Sequence, residues 1–358
     1  MDLHVNRKDL HDTRVVDRPP APLEPGQARL RVAAFGLSAN NITYAVMGDL
    51  MQYWDFFPAD EGWGRVPVWG YAEVVESRHD GVAPGTRVFG FLPMSDELVI
   101  TVGKVDAGGF TDGAEHRTHL AGAYNRYLIA EPDVEPGSAG EDRRMLLFPL
   151  FFTSFLVDDF LADNGWFGAG TVVISSASAK TALGVAYQVA PREGVEVVGL
   201  TSPGNVEFTR SLGVYDLVVP YGSYAELPSG TAVYVDVSGS DAVRVGVHEH
   251  YRDDLRHDMI LGGTHWEAIG GRTAELPGPK PAFFFAPGQI ATRSAEWGQD
   301  VLDRALEEAW ARYAPWAAGW IELRHAAGPE AIARTYLELL DNQADPRVGH
   351  ILAPSGTD

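Results

Sequence analysis

Thr171-Val172-Val173-Ile174-Ser175-Ser176-Ala177-Ser178-Ala179-Lys180-Thr181-Ala182-Leu183-Gly184 decides the reading of this chain. It opens on a short β-branched run, as expected of a parallel strand buried on both faces. A loop of small residues follows, and Ala182 to Val189 then reads as helix. A dinucleotide fold places its pyrophosphate-binding turn in this way, after the first strand and opening a helix. The turn needs little side chain at three places, for a tight bend, for close approach of the pyrophosphate and for close helix–strand packing. Ala177, Ala179 and Ala182 stand there, all small and none glycine. The helix N-terminus offers N–H groups and the positive end of a dipole to an anion. Ser175, Ser176, Ser178, Lys180 and Thr181 add donors. A turn that only packs would use the same small residues, so this segment alone leaves both readings open.

Downstream, apolar strand-like runs recur between helical stretches. Val195 to Leu200 is a second strand and Val206 to Leu212 a second helix. Asp216 to Val219, Val233 to Val237 and Met259 to Leu261 are further strands. This alternation predicts a doubly wound parallel sheet. An acidic residue at the end of the second strand would grip the ribose hydroxyls of NAD. Leu200-Thr201-Ser202-Pro203-Gly204-Asn205 stands there instead. Nothing there repels a 2′-phosphate, and Thr201, Ser202 and Asn205 can donate to one, which favours NADPH over NADH. An ordinary polar turn is the alternative. Toward the C-terminus, Gln299 to Tyr313 and Pro329 to Leu340 read as helices and Gly349 to Leu352 as a final strand.

Upstream, the first ~145 residues are rich in turns, with short strands between proline and glycine breakers, which predicts a β-rich, barrel-like domain. Pro25-Gly26 and Pro84-Gly85 each precede a strand-like run. Met145 to Leu161 is strongly apolar, lacks glycine and reads as a linking helix. The length of 358 residues suits two domains. The chain has no cysteine, which excludes disulfides, thiolate–zinc sites, iron–sulfur clusters and a cysteine nucleophile. A net charge of −21 opposes binding to nucleic acid or anionic membrane surfaces. The N-terminus lacks a signal pattern and no unbroken apolar run reaches ~18 residues, so the expectation is a soluble cytoplasmic protein without a membrane span.

The chain resembles the medium-chain dehydrogenase/reductase superfamily, in its zinc-independent quinone and enoyl reductase branch. More narrowly, it resembles a divergent bacterial family described only as a domain of unknown function. The resemblance rests on collinear segments. They run from Glu24-Pro25-Gly26-Gln27 through Phe35 to Asn41, Pro84 to Val88 and Ala123 to Ile129. They continue with the helix bearing Thr153, the loop above, Leu212-Gly213 with Asp216, Asp236-Val237-Ser238-Gly239 and Val348 to Leu352. It implies a GroES-like β-barrel catalytic domain over 1–145, to which the chain returns at about 320–358. It also implies a Rossmann-type doubly wound domain over 146–319, an active site in the cleft, and a homodimer. Zinc-dependent members place a cysteine where Ser38 stands, and Val68 to Ala72 offers no replacement ligand. The expectation is therefore no metal. Residues ~91–120 read as a glycine-rich insertion.

A metal-free reductase needs a hydride donor, a polariser for the substrate oxygen and a proton source. The resemblance implies a tyrosine in the loop around Tyr53 as proton donor; Tyr53 is the first candidate and Tyr44 the second. Asn40 takes the place of the proton-relay hydroxyl and Asn41 that of a structural aspartate. Thr153, Ser176, Ser178, Ala179, Lys180, Thr181, Thr201, Ser202, Asn205, Tyr221, Ser238, Gly263 and Thr264 are the expected cofactor contacts, with His265 an alternative acid. Phe283 to Phe285 suggests a buried strand. Asp158-Asp159 suggests the exposed face of the linking helix, and His248-Glu249-His250 a solvated helix rather than a metal site. Trp310, Tyr313, Trp316 and Trp320 recur at helical spacing and suggest core or a subunit interface. The leading expectation is an NADPH-dependent, zinc-independent oxidoreductase acting on an enone, quinone or ketone as its small-molecule substrate. A non-redox enzyme performing elimination, isomerisation or condensation, and a non-enzymatic binding protein, are the alternatives.

Overall fold

The computed structural model describes residues 1–130, 134–262 and 276–355. The chain divides into two compact units, Met1–Pro149 with Ile321–Asp358, and Leu150–Trp320.

In the first unit, β1 (Asp2–Asn6) and β2 (Asp9–Val16) form a hairpin, followed by β3 (Gln27–Leu37), α1 (Ala39–Val46) and β4 (Trp63–Gly64). Then come β5 (Pro67–Ser77), β6 (Arg87–Pro93), β7 (Glu97–Asp106), β8 (Gly109–Asp112) and β9 (Arg126–Ile129). The order β3-β5-β6-β9-β8-β7 closes into a barrel because β7 pairs back onto β3, Gln27 opposite Thr101. Closure removes the free edges that an open sheet exposes. Gly26 and Gly85 both take positive φ, +85° and +87°, which glycine adopts without steric cost at the turns leading into β3 and β6. The expected insertion at 91–120 is corrected: these residues supply β7 and β8. Their glycines sit where strands meet closely; a Cβ on Gly109 would lie 2.0 Å from the Tyr127 carbonyl oxygen.

The helix α2 (Ala139–Asp163) carries the chain from one unit into the other. By length and apolarity it could span a bilayer, although charges break its apolar run; 61% of its apolar window is buried in protein, as in a core helix.

The second unit holds β10 (Thr171–Ile174), α3 (Lys180–Val189), β11 (Glu196–Thr201), α4 (Val206–Ser211) and β12 (Leu217–Pro220). It continues with β13 (Ala232–Asp236), α5 (Asp241–Tyr251), β14 (Leu255–Ile260), β15 (Ala282–Phe283), α6 (Ala286–Trp297) and α7 (Gln299–Ala318). The six strands are parallel in the order β12-β11-β10-β13-β14-β15. Val172 and Ile174 of β10 face the core shared with α2 and α3, while Val173 faces the core shared with α5. Burial on both faces explains the unbroken apolar run that marked this strand. Each such side chain contributes about 1.5–3 kcal/mol on burial.

Three expectations about this unit are corrected. Phe283 and Phe285 are half exposed and only Phe284 is buried, because β15 is a two-residue strand at the sheet edge. Asp158 is buried rather than exposed; its carboxylate pairs with Arg192, and burial raises its pKa. Asp159 pairs with Arg293 from α6. The α5 face bearing His248 is not solvated, since His248 is fully buried. Trp310 and Tyr313 are core, packed on Phe151.

The chain then returns to the first unit with β16 (Glu322–Ala327), α8 (Pro329–Leu340) and β17 (Val348–Ala353). Antiparallel pairing of β17 with β3, Leu37 opposite His350, adds these strands to the barrel sheet.

Candidate functional site

In the second unit the strand order reverses between β10 and β13, which is where open α/β sheets bind ligands. The turn after β10 carries the residues singled out above. Its tight bend falls on Ser176 (φ +48°), one residue earlier than the alanine spacing suggested. The Ser176 N–H donates to the Tyr221 hydroxyl, 2.8 Å away. Burial pushes the Tyr221 phenol up to about 12, with the Ser176 hydrogen bonds pulling the other way. Ala177 is fully buried and its carbonyl accepts from Tyr215, so it packs and does not line a surface. Ala179 occupies the cap position of α3, and its methyl cannot cap the helix. As in any α-helix, the first-turn N–H groups find no acceptor within the helix, and Ala179 supplies no side-chain cap. That end suits a phosphate.

The structure brings three of the expected residues together. Ser178 Oγ accepts from Asn205 Nδ2 at 3.1 Å and from Thr201 Oγ1 at 3.4 Å. None of the three is acidic. Together with the uncapped start of α3, this donor set fits a phosphorylated ribose and pyrophosphate. Ser202 lies beside it, half buried before a short 3-10 turn. Thr153 is half buried on α2. Gly263, Thr264, His265 and Trp266 lie outside the described residues.

Ser238 is corrected. Its side chain is fully buried, its hydroxyl donates to Asp236 Oδ1 and also accepts from the Ser240 N–H. It belongs to a buried network that the sequence did not reveal. Asp236 Oδ1 also accepts from Ser175 Oγ at 2.8 Å, from Tyr234 Oη at 3.0 Å and from the Gly239 N–H at 3.0 Å. Its Oδ2 pairs with Arg244 at 2.5 Å. Arg244 reaches Asp258 at 3.2 Å, and Asp258 in turn meets His248 Nε2 at 2.8 Å. His248 Nδ1 lies 2.7 Å from the Pro277 carbonyl oxygen, so both ring nitrogens are used inside the protein. His250 turns toward Pro228 and Glu249 toward Arg252, so the three side chains diverge. This network ties the turn after β10 to the turn after β13. The sequence signal was Asp236-Val237-Ser238-Gly239 at a strand end; the pairing with Ser175 spans a long sequence separation.

In the first unit, Tyr53 opens a 3-10 turn, Tyr53–Phe56, entered through Gln52 in the left-handed region (φ +60°). Its ring packs on Tyr44, with centroids 4.6 Å apart, and edge-on to Tyr124 at 5.9 Å. The Tyr53 and Tyr124 hydroxyls lie 3.5 Å apart, the outer limit of a hydrogen bond. Burial raises both phenols, Tyr124 further, while the hydrogen bond between them pulls Tyr53 back down, so Tyr53 is the more acidic of the pair. Tyr44 is more deeply buried; its oxygen accepts from Trp69 Nε1 at 3.4 Å and from the Asn40 amide, and burial raises its pKa strongly. Asn40 thus stands beside Tyr44. Asn41 is corrected as a candidate for substrate contact. It is buried, its Oδ1 accepts the Ser38 N–H at 2.8 Å, and its Nδ2 donates to the Pro67 carbonyl at 2.9 Å. Its amide oxygen completes the capping box of α1, and its amide nitrogen ties that helix to β5. Tyr124 and Trp69 were missed. Gly122–Asn125 is a 3-10 turn just ahead of β9, and it brings Tyr124 to Tyr53.

A closed barrel joined by a core helix to a parallel sheet of order β12-β11-β10-β13-β14-β15 is the two-domain fold of the medium-chain dehydrogenase/reductase superfamily, GroES-like and Rossmann-type. Solved structures bear this out along the whole chain. CurA from Vibrio vulnificus in complex with NADPH is 15% identical, with a TM-score of 0.57, over 97% of this chain and 94% of that one. YhdH of E. coli K-12 with bound NADPH is 13% identical, with a TM-score of 0.58, over 99% of this chain and 100% of the other. A Pseudomonas syringae quinone oxidoreductase is 14% identical, with a TM-score of 0.59, over 99% of each chain. By sequence, no curated protein matches. The chain belongs to the family described as "Protein of unknown function (DUF2855)", whose model matches residues 35–345.

Proposed function

We propose that this protein is an NADPH-dependent, zinc-independent reductase of an enone, quinone or ketone. The observation that carries the reading is the convergence of Ser178, Thr201 and Asn205 beside the uncapped N-terminus of α3. These neutral donors suit a 2′-phosphate, and the absence of a carboxylate among them removes the grip that favours NAD. The similar structures of CurA and YhdH hold NADPH, which supports the same cofactor here. Bound there, NADPH would supply the hydride. The chain's own part is to hold the phosphates with the α3 N-terminus and Ser178, and to supply a proton from Tyr53. A phenol holds its proton at neutral pH, as a general acid must. Zinc independence rests on donor chemistry: the chain has no cysteine, and Ser38 serves as the cap of α1.

A second reading has one observation behind it. The Ser176 N–H is bonded to Tyr221, so the turn has a protein partner of its own. This favours a fold whose cleft performs non-redox chemistry or only binds.

Titration with NADPH and NADH, followed by nicotinamide fluorescence, separates the two. The reductase reading expects NADPH to bind at least tenfold more tightly than NADH, and Tyr53→Phe to retain that binding while slowing turnover by ~100-fold or more in a screen of enones and quinones. Absence of binding by either nucleotide would sink it and leave the second reading.

A further inference from the structure

Arg117 is fully buried, carries charge and has no part in the chemistry above. It follows the barrel strand β8, whose last residue, Asp112, pairs with it at 3.2 Å. Asp112 is itself fixed, since its other oxygen accepts the N–H groups of Thr101 and Ala114. From this anchor the Arg117 side chain reaches both tyrosine-bearing turns. Its Nε donates to the Phe56 carbonyl at 3.2 Å, at the end of the turn that Tyr53 opens. The guanidinium lies 5.5 Å from the Phe56 ring centroid and 4.7 Å from that of Phe57. Toward the other turn, Nη1 reaches Asn125 Oδ1 at 3.5 Å, and Asn125 Nδ2 donates back to the Arg117 carbonyl at 3.2 Å. Asn125 is the neighbour of Tyr124.

A 3-10 turn of four residues has little stability of its own. Two such turns hold a fixed separation only if something rigid joins them. An apolar side chain would fill the space at lower desolvation cost than a buried ion pair. A planar fork with several donors is what can join a strand end, a carbonyl and a side-chain amide at once.

We propose that Arg117 is a positioning residue that clamps the Tyr53 and Tyr124 turns to the barrel, so that the Tyr124 hydroxyl is held on the Tyr53 oxygen. The proposal rests on the reading of Tyr53 as the proton donor only for its catalytic meaning; the clamp itself is tested without turnover.

The test is 3-fluorotyrosine placed at position 53 and followed by fluorine NMR through a pH titration. Unsubstituted protein is expected to show one resonance whose midpoint lies above that of free fluorotyrosine. Arg117→Met keeps apolar volume and Arg117→Lys keeps charge, but neither keeps the fork. Both are expected to release the Tyr124 hydroxyl from the Tyr53 oxygen, and so to shift the resonance and move the midpoint upward, in the same direction as Tyr124→Phe, which removes that hydrogen bond to the phenolate outright. A folded Arg117→Met protein with the resonance and midpoint unchanged overturns the clamp. Should that variant not fold, Asn125→Ala cuts only the tie to the second turn, and an unchanged resonance there overturns it equally. NADPH titration of the same samples keeps the two ideas apart. Loss of nucleotide binding by the unsubstituted protein removes the reductase reading and leaves the fluorine result standing.

Discussion

Asp236 and Ser238 show how position and role part company at the residue scale. Both stand at the end of β13, at the switch point of the sheet, yet neither presents its side chain outward. Asp236 balances Arg244 and gathers donors from both turns. Asp236→Ala would take from the buried Arg244 its shortest carboxylate contact, leaving it Asp258, and would leave Ser175 and Tyr234 without their acceptor. It is expected to cost about 3–5 kcal/mol, read as a fall in the denaturant midpoint of unfolding. Ser238→Ala removes a hydrogen bond to the Asp236 carboxylate and one from the Ser240 N–H, and should cost about 1.5–3 kcal/mol. It should leave NADPH affinity unchanged; a tenfold weakening would return Ser238 to the cofactor contacts. Ser178, Thr201 and Asn205 were legible in the sequence because adjacent parallel strands bring their C-terminal ends together. Tyr124, Arg117 and the Asp236 pairing were not, because each depends on contacts across long stretches of chain that no local pattern records.

At the scale of elements, the contact of α2 with α3 explains why residue 184 is glycine. A Cβ on Gly184 would lie 2.5 Å from Ser154 Oγ. Ser154 cannot swing away freely, since it is fully buried and its hydroxyl is held by the Leu150 and Thr181 carbonyls. Alanine is the better helix former by about 1 kcal/mol, but overpacking here should outweigh that. Gly184→Ala is expected to lower stability by about 1–3 kcal/mol in thermal unfolding, and Ser154→Gly added to it should restore part of the loss. A rise in Tm for Gly184→Ala alone would mean that the helices do not pack so closely. The elements read correctly from sequence are those with one dominant pattern, such as the apolar run of β10 or the amphipathic α8. The β1–β2 hairpin escaped because β2 is mostly polar and half exposed, so it lacks a clean alternation. Residues 91–120 escaped because glycine, read as loop punctuation, serves there to let barrel strands approach.

For the molecule as a whole, the tyrosines decide behaviour at high pH. Tyr44, Tyr124 and Tyr127 in the barrel unit, and Tyr215, Tyr234 and Tyr313 in the sheet unit, all have pKa values raised by burial. Tyr127, for one, is pushed up to about 12. An unfolded chain releases these protons near pH ~10. Between that point and the folded values the native state holds more protons than the unfolded one, so stability falls as pH rises. Each tyrosine adds a slope of up to about 1.4 kcal/mol per pH unit. The net charge of −21 grows more negative over the same range and adds self-repulsion. The expected outcome is an abrupt alkaline transition between pH ~10 and ~12, in which phenolate absorbance and loss of circular dichroism coincide. Added salt should move it upward by screening the acidic surface. If most tyrosines instead titrate smoothly near pH ~10 while the circular dichroism holds, the fold does not raise them and the predicted transition fails. On the acid side, the first groups to matter are His4 and His257, which burial holds below the usual histidine value. There the unfolded chain takes up protons first, so stability should decline as pH drops below ~6.5. His4→Gln should flatten that acid limb and leave the alkaline transition where it was.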